Sequence, residues 1–218
     1  MPMGAMQLYG SYKGKSVITK DELAARFIHA TEEVIAAEDT LTEIDSHFGD
    51  ADHGLTMVKI ANAIKGAIED ADGGIQEMLD DVAMAVMVLN GGSAVPLWNT
   101  WLDGLQEVAP EGDEADTEQL KTMFANALSE LADISGAEVG DKTMMDAVIP
   151  ASEAIAAYSG DEAGLFAVAA QAAEQGAENS KNFVSKFGRA KSYGEKTIGT
   201  PDAGAVSMAC FFRGLAQA

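Results

Sequence analysis

The sequence predicts an all-α domain of about eight helices packed antiparallel. Apolar residues recur at helical spacing along most of the chain, no stretch shows the period-two alternation of a half-buried strand, and the connections between periodic segments are short. Composition agrees. Hydrophobic residues make up 47% of the chain but aromatics only 6%, with alanine and methionine abundant, which suits close-packed helices better than a sandwich or barrel of strands. A length of 218 residues allows one sizeable core, so a single domain is expected.

Each helix has its own signals. Thr19-Lys-Asp-Glu22 reads as a capping box, and Leu23, Phe27, Ile28, Val34 and Ile35 carry the first helix to about Ile44. After an aspartate-rich interruption, a second helix bearing Met57, Val58, Ile60 and Ile64 stops at Asp72-Gly-Gly74. A third spans about Ile75 to Leu89 and ends in Asn90-Gly-Gly-Ser93. Pro96 opens a fourth, which lasts to Ala109-Pro110. Residues 111–116 read as a solvated turn, and Thr117 as the cap of a fifth helix ending at Ser135-Gly136. A sixth runs from near Lys142-Thr143 to Ser159-Gly160, and a seventh from about Asp161 to Lys181. Residues 187–204 hold four glycines and no helical period, and an eighth helix from about Ala205 closes the chain. Residues 19–218 are taken as the domain. Residues 1–18 are taken as an N-terminal extension, part of which a cloning vector can supply, with no signal-peptide pattern.

The net charge is −21, from 35 acidic against 14 basic residues, which argues against a nucleic-acid-binding face or an anionic membrane surface as partner. Cys210 is the only cysteine, so no intrachain disulfide can form and a cytoplasmic location is expected. No apolar run approaches transmembrane length.

The chemistry concentrates in the loops. Asp45, Asp50 and Asp52 form D-x4-D-x-D, a density of charge that repels itself unless a cation or water absorbs it. Hard divalent cations such as Mg2+ take carboxylate oxygens and share them with phosphates. A helix starting at Gly54 would direct its free N–H groups at an anion in the same place. The spacing is not that of an EF-hand, and Gly140-Asp-Lys-Thr-Met-Met-Asp146 is not a P-loop. Paired glycines in Asn90-Gly-Gly-Ser-Ala-Val-Pro-Leu97 allow close approach to a phosphate. Arg189, Lys191 and Lys196 bring scarce positive charge into the glycine-rich late loop, which is expected to be flexible without an anionic ligand and to close on one. Carboxylates for metal beside helix N-termini for phosphate suggest a Mg-nucleotide site.

Gly49-Asp-Ala-Asp-His-Gly54, Gly140-Asp-Lys-Thr-Met144, Gly188-Arg-Ala190, Gly194-Glu195, and Ile198-Gly199 through Asp202-x-Gly-Ala205 follow in the order and spacing of the dihydroxyacetone kinase L subunit. From about residue 20 to its end the chain resembles that family. The resemblance implies an eight-helix antiparallel barrel with the nucleotide, ADP or ATP, at one end. It implies two Mg2+ ions on Asp45, Asp50 and Asp52. His53, Gly54, Leu55 and Thr56, with Gly92, Ser93 and Ala94, would line the phosphates. Ser135, Met144, Arg189, Asp202, Ala203 and Gly204 would line the rest of the pocket, with the late loop folded over it. No further catalytic residue is implied. A separate K-type subunit would hold dihydroxyacetone or a related ketose, and an M-type phosphohistidine carrier would recharge the nucleotide. A nucleotide-state-dependent regulatory module with little turnover is the alternative, and a homodimer is compatible with either. The chain departs from the family pattern at Thr56, where asparagine is usual, at Val95, in place of a turn glycine, and at Ala203, in place of a proline.

Overall fold

The computed structural model describes residues 17–217. The rest of the proposed N-terminal extension, residues 1–16, lies outside the described residues. Nine α-helices occur among them: α1 (Lys20–Ala36), α2 (Glu38–Ser46), α3 (His53–Asp70), α4 (Ile75–Met87), α5 (Ala94–Gln106), α6 (Thr117–Ser135), α7 (Met145–Ala157), α8 (Glu162–Asn179) and α9 (Ala203–Leu215).

The capping box forms as expected. Thr19 Oγ1 accepts the Glu22 N–H at 3.2 Å, and Glu22 Oε2 accepts the Thr19 N–H at 2.9 Å. The first helix does not run unbroken to Ile44. It turns at Ala37 (φ −88°, ψ 1°), and α2 lies across the start of α3. A Cβ on Gly54 would fall 2.3 Å from the Glu38 carbonyl oxygen and 2.2 Å from Thr42 Oγ1, so only glycine admits this crossing. No sequence signal marks the break, because tertiary packing sets it.

Two short strands are a second departure. β1 (Val17–Thr19) pairs antiparallel with β2 (Glu114–Asp116) in the register Ile18↔Ala115, and both of those side chains are buried. Residues 17 and 18 therefore belong to the domain, and the turn at 111–116 ends in a strand. The cap of α6 is Asp116 rather than Thr117. Its Oδ1 accepts the Glu118 and Gln119 N–H groups at 2.9 Å each, and Gln119 Oε1 accepts the Asp116 N–H in return at 2.9 Å. The helix of the fourth segment starts at Ala94, two residues before Pro96, which sits in a first turn where its missing N–H costs nothing.

Eight of the helices close a ring. α3, α4, α5, α6, α7, α8 and α9 each pack on the next, α1 joins α9 to α3, and α2 sits outside against α3 and α9. Seven aromatics gather inside: Phe27, Trp98, Trp101, Phe124, Phe166, Phe211 and Phe212. Phe211 meets Phe27, Trp98 and Trp101 edge-on at centroid distances of 5.6, 5.2 and 5.7 Å. Phe124 bridges Trp101, Phe212 and Phe166. Edge-to-face geometry adds a specific component to the burial of these large rings.

Antiparallel order sends alternate connections to opposite ends. At one end, Lys20 Nζ donates to the Ala71 and Gly73 carbonyls at 3.2 and 2.8 Å, and Arg26 Nη1 donates to Leu215 O at 2.8 Å while its guanidinium lies over the Phe166 ring. The other end carries the Asp loop, the loop at 88–93, the loop at 136–144 and the segment at 180–202. Among the described residues no helix is long and apolar enough to cross a membrane.

The seam between α9 and α1 closes the ring and gives a test. A Cβ on Gly214 would fall 2.3 Å from Ala30 Cα and 2.5 Å from the Ala30 nitrogen. Gly214→Ala must push the helices apart. It is expected to cost about 1–3 kcal/mol, the range of overpacked cores, read as a lower urea midpoint. An unchanged midpoint would show that the seam is not close-packed.

Candidate metal centre and anion pocket

The four loops at this end surround a cavity of about 730 Å³. Apart from Gly54 and Leu55, every site residue anticipated from the sequence lines it. Gly54 is the contact point with α2, and the Leu55 side chain is 54% exposed on the outer side of α3. Only their backbone N–H groups, in the first helical turn, remain available to an anion.

The Asp loop is organised around Asp45. The chain reverses through Ala51 in the left-handed region (φ 60°), and Asp45 Oδ2 then accepts the N–H of Asp52 at 3.1 Å and of His53 at 3.4 Å. One carboxylate thus satisfies the start of α3 from outside. Asp52 holds the N-cap position without making a capping bond, so its own carboxylate is free to face its neighbours. Ligand oxygens of Asp45, Asp50 and Asp52 all lie within 4.8 Å of one another. Asp50 and Asp52 are exposed, and Arg189 forms an ion pair with Asp50 across the cavity mouth. Three converging carboxylates beside a helix N-terminus make a donor set for a hard divalent cation and its anion.

His53 Nε2 lies 3.3 Å from Ser207 Oγ on α9, tying α3 to α9 behind the three aspartates. Burial lowers the pKa of its imidazole, against the opposing pull of Asp45 and Asp52. In the second loop, Thr56 and Val95 converge on Gly91: a Cβ there would fall 2.8 Å from a methyl of each. Two of the three departures from the family pattern therefore pack at one point. Thr56 and Val95 are 4% and 5% exposed, so both side chains help to fill the floor beneath the turn.

In the third loop, Asp146, fully buried, accepts the Gly140 N–H at 2.6 Å and the Thr143 N–H at 2.8 Å. Asp202 caps α9 by accepting the Ala205 N–H at 2.8 Å. Burial pushes the Asp202 carboxyl up to about 7, the Ala205 bond holding it down and the Asp146 charge pushing it further up. Of the basic cluster only Arg189 lines the cavity, while Lys191 and Lys196 are exposed outside it. Sequence reasoning missed the apolar wall of Ile44, Phe48, Leu97, Ile134 and Phe187 and the buried Lys142. Ile134 and Phe187 each adjoin a residue of interest, but their apolar character reads as core in a sequence.

The raised Asp202 carboxyl has a consequence for stability. Between about pH 4 and about pH 7 the folded chain binds more protons at this group than the unfolded chain, so its contribution falls as pH rises. Asp202→Asn keeps a capping oxygen and removes the ionisation. In the ligand-free chain, the stability of the variant relative to the parent is expected to grow from about pH 4.5 to about pH 7.5. The ceiling is about 4 kcal/mol at 1.36 kcal/mol per unit, lowered by any water that reaches the carboxyl. Urea titrations at both pH values check this, and a difference constant with pH would contradict it.

Comparison with known proteins agrees with the fold. The model of the DAK2 domain matches residues 47–217. The D-erythrulose kinase of Mycolicibacterium smegmatis is 33% identical over 202 residues, covering 89% of this chain and 35% of that one. The ADP-binding subunit DhaL of the PEP-dependent dihydroxyacetone kinase of Escherichia coli is 30% identical over 182 residues, covering 82% of this chain and 87% of the subunit. The chain thus spans about a third of the erythrulose kinases it matches and most of the DhaL subunit. The dihydroxyacetone kinase of C. freundii, solved with AMP-PNP and Mg2+, shares the fold at a TM-score of 0.67 and 22% identity, over 100% of this chain and 37% of that one. This chain belongs to the DAK2 domain family.

Proposed function

We propose that this chain is the nucleotide-binding component of a dihydroxyacetone-type kinase. It holds ADP or ATP with two Mg2+ ions on Asp45, Asp50 and Asp52. It passes a phosphoryl group to dihydroxyacetone, or a related ketose, carried by a separate K-type subunit. The observation that carries the proposal is the meeting of three carboxylates, their ligand oxygens within 4.8 Å, with the first turn of α3 at the mouth of one cavity. Relatives named as dihydroxyacetone and erythrulose kinases support a short ketose as the class of acceptor. The PEP-dependent relative supports recharging by an M-type phosphohistidine carrier, and a cytoplasmic location is part of the same proposal.

The donor set fits Mg2+: carboxylate oxygens, close together and open to water. Bound there, Mg2+ would neutralise charge that builds on the phosphoryl oxygens during transfer. The residues of the chain do the rest. Arg189, which pairs with Asp50 at the cavity mouth, would hold a phosphate oxygen. The Gly54 and Leu55 N–H groups in the first turn of α3, with those at the start of α5, would orient the phosphates. Phe48, Ile134, Phe187 and Met144 shield the nucleotide from water. Ile134 and Phe187 are 53% and 39% exposed at this mouth, an apolar rim suited to a docked partner.

A nucleotide-state-dependent regulatory module is the second reading, and the packing of Thr56 and Val95 on Gly91 favours it, because it stiffens a turn that paired glycines would leave adaptable. Steady-state phosphoryl transfer with candidate K-type subunits separates the two.

Two outcomes are expected. ADP binding measured by titration calorimetry should require Mg2+ or Mn2+, and Asp52→Asn should abolish it while leaving the fold intact. Equal affinity in EDTA would sink the metal assignment. The isolated chain with ATP should not phosphorylate free dihydroxyacetone at a useful rate, because orientation of the triose supplies much of the acceleration. Robust turnover by this chain alone would refute the two-component assembly.

A further inference from the structure

Residues 180–202 leave the end of α8 and return to the start of α9 as a closed strap. Its neck is bonded three ways. The Gly199 N–H donates to Lys181 O at 2.7 Å, and the Asp202 N–H donates to Ser180 Oγ at 2.9 Å. Lys142, from the opposite loop, donates through Nζ to Ser180 O at 2.6 Å and to Thr200 O at 2.5 Å, one carbonyl on each side of the neck. Lys142 is 4% exposed and sits in the left-handed region (φ 61°), in a loop shaped by the Asp146 carboxylate. Left-handed backbone at a non-glycine residue persists only where surroundings over-determine it. Beyond the neck the strap is stitched to itself, since Thr197 Oγ1 accepts the Ser185 N–H at 3.0 Å and donates to Gly194 O at 2.8 Å. Its tip rests on the Asp loop through Arg189 on Asp50 and through Tyr193 on Phe48, whose ring centroids are 5.1 Å apart.

A lysine in Gly-Asp-Lys-Thr at a cavity wall would be taken for a phosphate contact, yet this ammonium is already held by two carbonyls. We propose that Lys142 is a positioning residue that clamps both ends of the strap, so that the strap acts as one stiff unit and presents Arg189 over the cavity. The part concerning nucleotide rests on the proposed function, whereas the clamp itself does not.

Lys142→Met in the full chain removes the donor and keeps the bulk. Hydrogen exchange without ligand is expected to quicken at least tenfold at the Ser185 and Gly199 amides and to stay unchanged in the cores of α1 and α5. Release of Mg-ADP is expected to quicken at least tenfold as well. Unchanged exchange at those two amides, or a uniform rise across the molecule that tracks lower global stability, would overturn the clamp. Should the methionine variant fail to fold, Lys142→Gln, whose shorter amide can reach only one carbonyl, is read by the same criteria. A parent chain that binds no Mg-ADP would refute the nucleotide reading alone, and exchange in the ligand-free chain would still decide the clamp.

Discussion

Three carboxylates with ligand oxygens within 4.8 Å of one another must be compensated. Each like-charged pair costs about 1 kcal/mol at ~4 Å in bulk water, and several-fold more as the local dielectric falls. The compensation is visible in the structure. Asp45 accepts the N–H groups that begin α3, and Arg189 crosses the cavity mouth to Asp50. Both arrangements reserve the cluster for something positive. The positive N-terminal end of α3 reserves the adjoining space for something negative. A divalent cation carrying phosphate oxygens, as proposed, would satisfy both demands at once.

The ring of helices makes this cluster possible by separating tasks between its ends. One end is stitched shut by Lys20, Arg26 and the two-stranded sheet. The other holds four loops, so their chemistry is held rigidly without being part of the core. His53 shows how the two connect. It begins α3, lies behind the aspartates and touches Ser207 on α9, the same helix that buries Phe211 and Phe212 among the aromatics. A disturbance of the α1–α9 seam therefore reaches the site through α9, whose first turn is capped by Asp202.

Much of this was legible in the residues. Periodicity gave the eight ring helices, and charge density in a short segment gave the Asp loop. Both signals are local. The break at Ala37 carries no local signal, since alanine continues a helix readily, and it exists because Gly54 lets α2 cross α3. The strands at 17–19 and 114–116 are too short to show a period. Asp116 and Thr117 are both good caps, and the bond from Gln119 back to Asp116 decides between them. Lys142 was hidden for another reason. Its partners are carbonyls of Ser180 and Thr200, far away in sequence, and backbone acceptors carry no side-chain signature.

Diffraction at the manganese edge from crystals grown with Mn2+ and ADP tests the central claim most directly. Two anomalous peaks between the carboxylates of Asp45, Asp50 and Asp52 and the phosphates of ADP, with Arg189 moved from Asp50 to a phosphate oxygen, are the predicted result. ADP bound with no anomalous scatterer at the aspartates, or bound away from this cavity, would contradict the account.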